Sequence, residues 1–145
     1  MTDQQDVLAG AGIIVFKNDT VLLVRHKENA SHLTGLYGIP AGTIASGESE
    51  QQTAVRELRE ETGLLTSEDD LVEYPENFYI ADIERKEGMR KCSLRVFICH
   101  NYEGDIESLN ETVPEWISLS DLTSYPLLPN VQQMVTDAKK YEEEE

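Results

Sequence analysis

Three glutamates, Glu57, Glu60 and Glu61, recur at spacings of three and four residues in the segment AVRELREETG. On a helix turning 100° per residue they share about 100° of arc, one face of the rod. Like charges at these spacings repel by a few tenths of a kcal/mol per pair in an isolated helix. A hard divalent cation bridging the carboxylates turns that repulsion into binding energy. Oxygen-only ligation, with no His or Cys nearby, points to magnesium or manganese rather than zinc. The competing reading is an ordinary solvated face in an acidic protein.

The element that must carry this cluster is legible around it. Ser49 and Gln52 match a capping box, and Gly63 is placed to end the helix, so a helix is predicted over Ser49–Thr62. Ala54, Val55 and Leu58 lie on the neighbouring face and should pack against a sheet. Strand-like runs occupy Val7–Phe16 and Val21–Arg25, joined through Asn18-Asp19 as a hairpin. The stretch from Asn29 to Gly47 reads as loop, broken by glycines and prolines. Val72–Ile83 and Lys91–Tyr102 read as two more strands flanking the turn-prone ERKEGMR, and Glu115–Leu119 as a short one. Val131, Met134, Val135 and Ala138 recur at helical spacing, which predicts a final amphipathic helix over Asn130–Tyr141. Strands interrupted by helices in this order indicate an α/β layered domain.

The wider spacing carries a resemblance. Gly42, five residues, Glu48, seven residues, and then Arg56-Glu57-Leu58-Arg59-Glu60-Glu61-Thr62-Gly63-Leu64 match every fixed position of the Nudix box, so the chain resembles the Nudix hydrolases of MutT type. Its flanks fit as well. Tyr37-Gly38-Ile39-Pro40-Ala41-Gly42 is similar to the family's entry to the box, with Tyr37 where Trp is usual and Ala41 where Gly is usual. Pro114-Glu115-Trp116-Ile117-Ser118-Leu119 resembles its late Trp-containing strand.

The resemblance implies an α/β/α sandwich with a mixed sheet, and hydrolysis of a diphosphate linkage in a nucleoside diphosphate joined to another group. It implies that Glu57, Glu60 and Glu61, with the Ala41 carbonyl, are ligands of Mg2+ (or Mn2+). Arg56 would hold those carboxylates in place, oriented in turn by Glu48. A fourth carboxylate is expected from a loop ahead of the Trp strand, where Glu111 is the best match against Glu103, Asp105 and Glu107. Arg25 would contact phosphate, with a solvated strand-end charge as the alternative. Asn130 would read the base, with a helix N-cap as the alternative. Metal would neutralise the diphosphate and lower the pKa of water, leaving one glutamate among Glu57, Glu60 and Glu111 to take the second proton. Nucleoside triphosphates and nucleotide-sugars such as ADP-ribose both fit. A nucleotide-sensing Nudix domain without catalysis is the second reading, and the complete set of box carboxylates argues against it.

Composition sets the boundaries of this reading. The 145 residues are the length of one domain, with 28 acidic against 12 basic residues and a net charge of −16. That balance argues against nucleic-acid binding and against docking on an anionic membrane. No apolar run approaches the ~18 residues of a membrane span, and MTDQQD at the N-terminus lacks a signal-peptide pattern. A soluble, cytoplasmic protein is expected, acting on a small-molecule nucleotide; a homodimer is compatible with the pattern. Cys92 and Cys99 stand an odd seven residues apart, so on a strand they face opposite ways and should be free thiols. The run Glu142–Glu145 is self-repelling and is expected to fray.

Overall fold

The computed structural model describes residues 7–27, 35–85, 88–109 and 112–144. The elements run β1 (Leu8–Lys17), β2 (Thr20–His26), β3 (Tyr37–Gly38), β4 (Ala41–Thr43), α1 (Glu50–Thr62), β5 (Leu71–Val72), β6 (Phe78–Arg85), β7 (Gly88–Cys99), β8 (Thr112–Ser118) and α2 (Val131–Glu144). The central order is β3-β2-β1-β7-β5, with β4 on β1, β6 on β7 and β8 on β2. β1 runs parallel to β7 from Leu8↔Cys92 to Val15↔Cys99, while the other pairings are antiparallel. The sheet is therefore mixed.

Alternation along the strands builds two cores. Ile13, Val15, Leu22, Phe97 and Cys99 pack with Ala54 and Leu58 of α1. Ile14, Val21, Leu23, Val96 and Ile98 pack with Val131, Met134, Val135 and Ala138 of α2. Burial on both faces explains why β1 and β2 read as continuous apolar runs. The layers are helix, sheet, helix, as expected. Cys99 lies under α1 while Cys92, on the opposite face, is half-buried; both are free. Among the described residues no helix is long and apolar enough to cross a membrane.

The structure differs from expectation at several places, first in the stretch from Asn29 to Gly47 read as loop, where Tyr37–Gly38 pairs with β2 and Ala41–Thr43 with β1 as short strands. The segment expected as one strand over Val72–Ile83 is divided, because Pro75 has no N–H to give a ladder and Glu76 has a φ of 60°. Asn77 closes that break, its side chain donating to the Val96 carbonyl at 2.8 Å. Conversely, ERKEGMR is mostly strand, since the β6–β7 ladder runs on to the Arg85↔Gly88 pair. β8 begins three residues earlier than expected; β2 is its single ladder partner, so it tolerates Pro114 on its unpaired side. Finally, α2 continues through Glu144, and Glu142 meets His100 at 2.8 Å, so the acidic run is helical there rather than frayed. Glu145 lies outside the described residues.

Candidate active site

The site is assembled at the junction of β4 and α1. Ser49 caps the helix as predicted, its hydroxyl accepting from the Gln52 N–H at 3.0 Å while the Gln52 side chain accepts from the Ser49 N–H at 2.8 Å. Gly63 ends the helix at φ 88°, its N–H reaching the Arg59 carbonyl at 3.0 Å. Ala54 and Leu58 are fully buried against the sheet, which turns Glu57 inward with them; Val55 is half-buried. Glu57 is only 9% exposed.

Arg56 is the hub. Its Nε and Nη2 donate to the two Glu48 oxygens at 2.7 and 3.0 Å. Nη1 reaches Glu57 at 2.9 Å and Glu60 at 3.0 Å, and Nη2 reaches the Thr43 carbonyl at 3.2 Å. Glu48 is further held by the Thr53 hydroxyl at 2.7 Å and the Ala45 N–H at 3.1 Å. The Arg56 hydrogen bonds, aided by Thr53, pull the Glu48 carboxyl down to about 2. One fork thus joins the β4 turn, the helix start and the acidic face.

Glu57 and Glu61 behave oppositely. Their carboxyls hydrogen-bond to each other, and Glu61 also accepts from the Ala41 N–H at 3.1 Å. Burial raises both pKa values above the ordinary carboxylate range, Glu61 the more, because the neighbouring Glu57 charge adds to it. Gly42 makes this packing possible, since a Cβ there would overlap the Glu57 carboxylate. Two desolvated carboxyl groups in hydrogen-bond contact fit a hard divalent cation, which they would help to hold. Glu60 is turned toward Arg56, so among the described residues no three acidic, His or Cys side chains meet at one point. Releasing Glu60 from that half-exposed pair costs only a few tenths of a kcal/mol, well within a cation's reach.

Beside the pair opens a cleft of about 360 Å3, floored by Leu8, Gly10 and Leu94 and walled by Tyr79, Leu128 and Met134. Asn130 lines it too, at φ 71°, and its side-chain N–H donates to the Ile80 carbonyl at 3.1 Å. Arg25 does not line the cleft. Its guanidinium rests on Glu115 at 3.5 Å, whereas His26, one residue on, does line it. Glu111 lies outside the described residues. Sequence reasoning missed His26 and the apolar walls, because alternation identifies a buried face without saying which buried residues border a void.

A NUDIX domain model matches residues 7–138. The 8-oxo-dGTP diphosphatase of Escherichia coli is 26% identical over 130 residues, covering 89% of this chain and 93% of that protein. The CTP pyrophosphohydrolase of the same organism is 26% identical over 115 residues, covering 79% of each. The chain spans 31% of the length of Nudix hydrolase 8 of Arabidopsis thaliana, at 27% identity over 81% of this chain. Among solved structures, the MutT Nudix hydrolase from Burkholderia pseudomallei superposes with a TM-score of 0.75 at 20% identity, over 92% of this chain and 98% of that one. With helices on both faces of its mixed sheet and the box residues gathered around Arg56, the chain belongs to the Nudix family.

Proposed function

We propose that this chain is a divalent-metal-dependent pyrophosphohydrolase that cleaves the diphosphate linkage of a nucleoside triphosphate or a nucleotide-sugar. The observation that carries the reading is the buried Glu57–Glu61 pair, oriented by Arg56 and Glu48 at the mouth of the cleft. Relatives named as CTP, 8-oxo-dGTP and ADP-ribose pyrophosphatases support the substrate class. Glu57, Glu60 and Glu61, with the Ala41 carbonyl, would hold Mg2+ or Mn2+, and Glu111 is the candidate for a further carboxylate.

The bound metal supplies charge neutralisation of the diphosphate and a lowered pKa for water. The remaining work belongs to the chain. Arg56 aims Glu57 and Glu60 through its hydrogen bonds, Gly42 leaves room for the Glu57 carboxylate, and the apolar cleft takes the organic end of the substrate. A glutamate of the set accepts the proton that water gives up as it attacks phosphorus. No covalent nucleophile is required.

The test is a phosphate- and pyrophosphate-release screen over nucleoside triphosphates, dinucleotides and nucleotide-sugars, with magnesium, with manganese and with EDTA. Hydrolysis with either metal, lost in EDTA, is expected. Full activity in EDTA would overturn the metal assignment. Nucleotide binding without any turnover would favour the sensing role.

A further inference from the structure

The acidic machinery accounts for one end of the cleft and leaves the other unexplained. On β6, Tyr79, Ala81 and Ile83 face the cleft, while Phe78, Ile80 and Asp82 point away from it. Away from Glu57 and Glu61 the cleft is bordered by aliphatic groups such as Leu8, Leu94, Leu128 and Met134, with the polar side chains of His26, Ser93 and Asn130 among them. Tyr79 is the only Phe, Tyr or Trp side chain among the described lining residues.

This ring is held unusually firmly. The Tyr79 hydroxyl donates to Asp137 Oδ2 at 2.8 Å, across from the sheet to α2. Its single proton is then committed, so the 3.0 Å contact with Tyr74 has the Tyr74 hydroxyl as donor. Asp137 is fixed in turn by Gln133, whose Nε2 reaches Oδ1 at 2.6 Å. Burial and these two partners raise the Tyr79 hydroxyl far above the ordinary phenol range, which keeps it a neutral donor. A second strap, Asn130 to the Ile80 carbonyl at 3.1 Å, joins the same strand to the start of α2. An anchored ring loses little further freedom when a flat ligand lies on it, and that is the requirement for a preorganised stacking surface.

We propose that Tyr79 is the specificity-determining surface on which the aromatic base of the substrate stacks, and that Asp137 is the residue that positions it. This rests on the pyrophosphohydrolase reading and extends it to the base-facing end. The ligand chemistry it selects is a planar heterocycle linked to a diphosphate, as against a diphosphate carrying none. Tolerance among bases is built in, since stacking makes no demand on the pattern of donors and acceptors at a base edge.

The test separates the two ends of the ligand. KM and kcat are measured for ATP, GTP and CTP with magnesium. Calorimetric binding of the corresponding nucleoside monophosphates, and inhibition by inorganic pyrophosphate as the base-free probe, are measured alongside. Tyr79→Leu should raise KM and weaken monophosphate binding on the order of 10- to 100-fold, with a much smaller change in kcat and in pyrophosphate inhibition. Tyr79→Phe, which keeps the ring, should recover most of the loss. Asp137→Ala, which removes the acceptor of the Tyr79 hydroxyl, should give an intermediate rise in KM. If Tyr79→Leu does not fold, Asp137→Ala carries the test, because an unchanged KM there overturns the proposal. A nucleotide KM untouched by Tyr79→Leu, or pyrophosphate inhibition weakened in parallel, would overturn the stacking role. Tyr79-dependent nucleotide binding without hydrolysis would instead overturn the hydrolase reading and leave the stacking role standing.

Discussion

Replacing Arg56 by lysine keeps the charge and removes the fork. Five N–H bonds leave the guanidinium, two to Glu48 and one each to Glu57, Glu60 and the Thr43 carbonyl. A lysine carries three donors on one atom at the end of an unbranched stem, so it serves the Glu48 side or the Glu57–Glu60 side but not both. At least two charge-assisted bonds are lost. At ~1.5–3 kcal/mol net for each, a fully buried fork would forfeit ~3–6 kcal/mol. The Arg56 side chain is 25% exposed, which lets the freed carboxylates rehydrate in part. We therefore expect a loss of about 2 kcal/mol, or roughly 6–8 °C in melting temperature for a domain of this length. Thermal unfolding of Arg56→Lys in EDTA reads this without interference from metal. In the magnesium-loaded enzyme kcat should fall roughly 10- to 100-fold, as expected when the groups that orient metal ligands are disturbed. A variant that melts within about 1 °C of the parent, or that keeps its kcat, would refute the claim that guanidinium geometry organises the site.

Three further outcomes follow from the same geometry. Glu60→Gln should leave stability within about 0.5 kcal/mol, since it removes a half-exposed i,i+4 pair, yet lower kcat by orders of magnitude; calorimetry beside a turnover assay separates the two effects. Stability should depend on pH with two opposite signs. The depressed Glu48 carboxyl stabilises the fold above its ordinary 4.5 and loses that contribution as pH falls toward about 2, whereas the raised Glu57 and Glu61 carboxyls destabilise it as pH climbs above 4.5. Melting temperature in EDTA should therefore decline as pH rises above about 4.5, and added magnesium should reverse the decline; a flat profile refutes the buried pair. Gly42→Ala should displace the Glu57 carboxylate and abolish turnover while far-ultraviolet circular dichroism stays native, and an active variant would count against the close approach.

The site was legible in sequence where covalent neighbours fix geometry. Ser49, Gln52 and Gly63 bound α1, and a helix of known pitch then puts Glu57, Glu60 and Glu61 on one face without reference to the rest of the chain. What sequence could not supply is what distant segments bring. Glu61 turns toward the Ala41 N–H, twenty residues away, and Asn130 spends its amide on the Ile80 carbonyl, fifty residues away. Arg25 and His26 are both basic neighbours at the end of β2, and only the three-dimensional path of the cleft selects His26. Pro75 was a misread local signal, because a single missing N–H divides a segment whose apolar content is otherwise that of a strand.

The parallel pairing of β1 with β7 has a consequence for biosynthesis. Partners such as Leu8 and Cys92 are 84 residues apart in the chain, and along the other edge of β1 the ladder partners are β4 at Gly10–Gly12 and β2 at Phe16 and Lys17. At about 5–20 residues per second, a ribosome needs ~4–17 s to make β7 after β1 has been made. For that interval Ile13, Ile14 and Val15 are without the strand that will flank them, and until α1 is made the short β1–β2 hairpin gives them little cover. The most apolar stretch of this acidic protein is thus made well before the strand that completes its burial, which makes the nascent chain, rather than the folded domain, the species most exposed to aggregation and to chaperone capture.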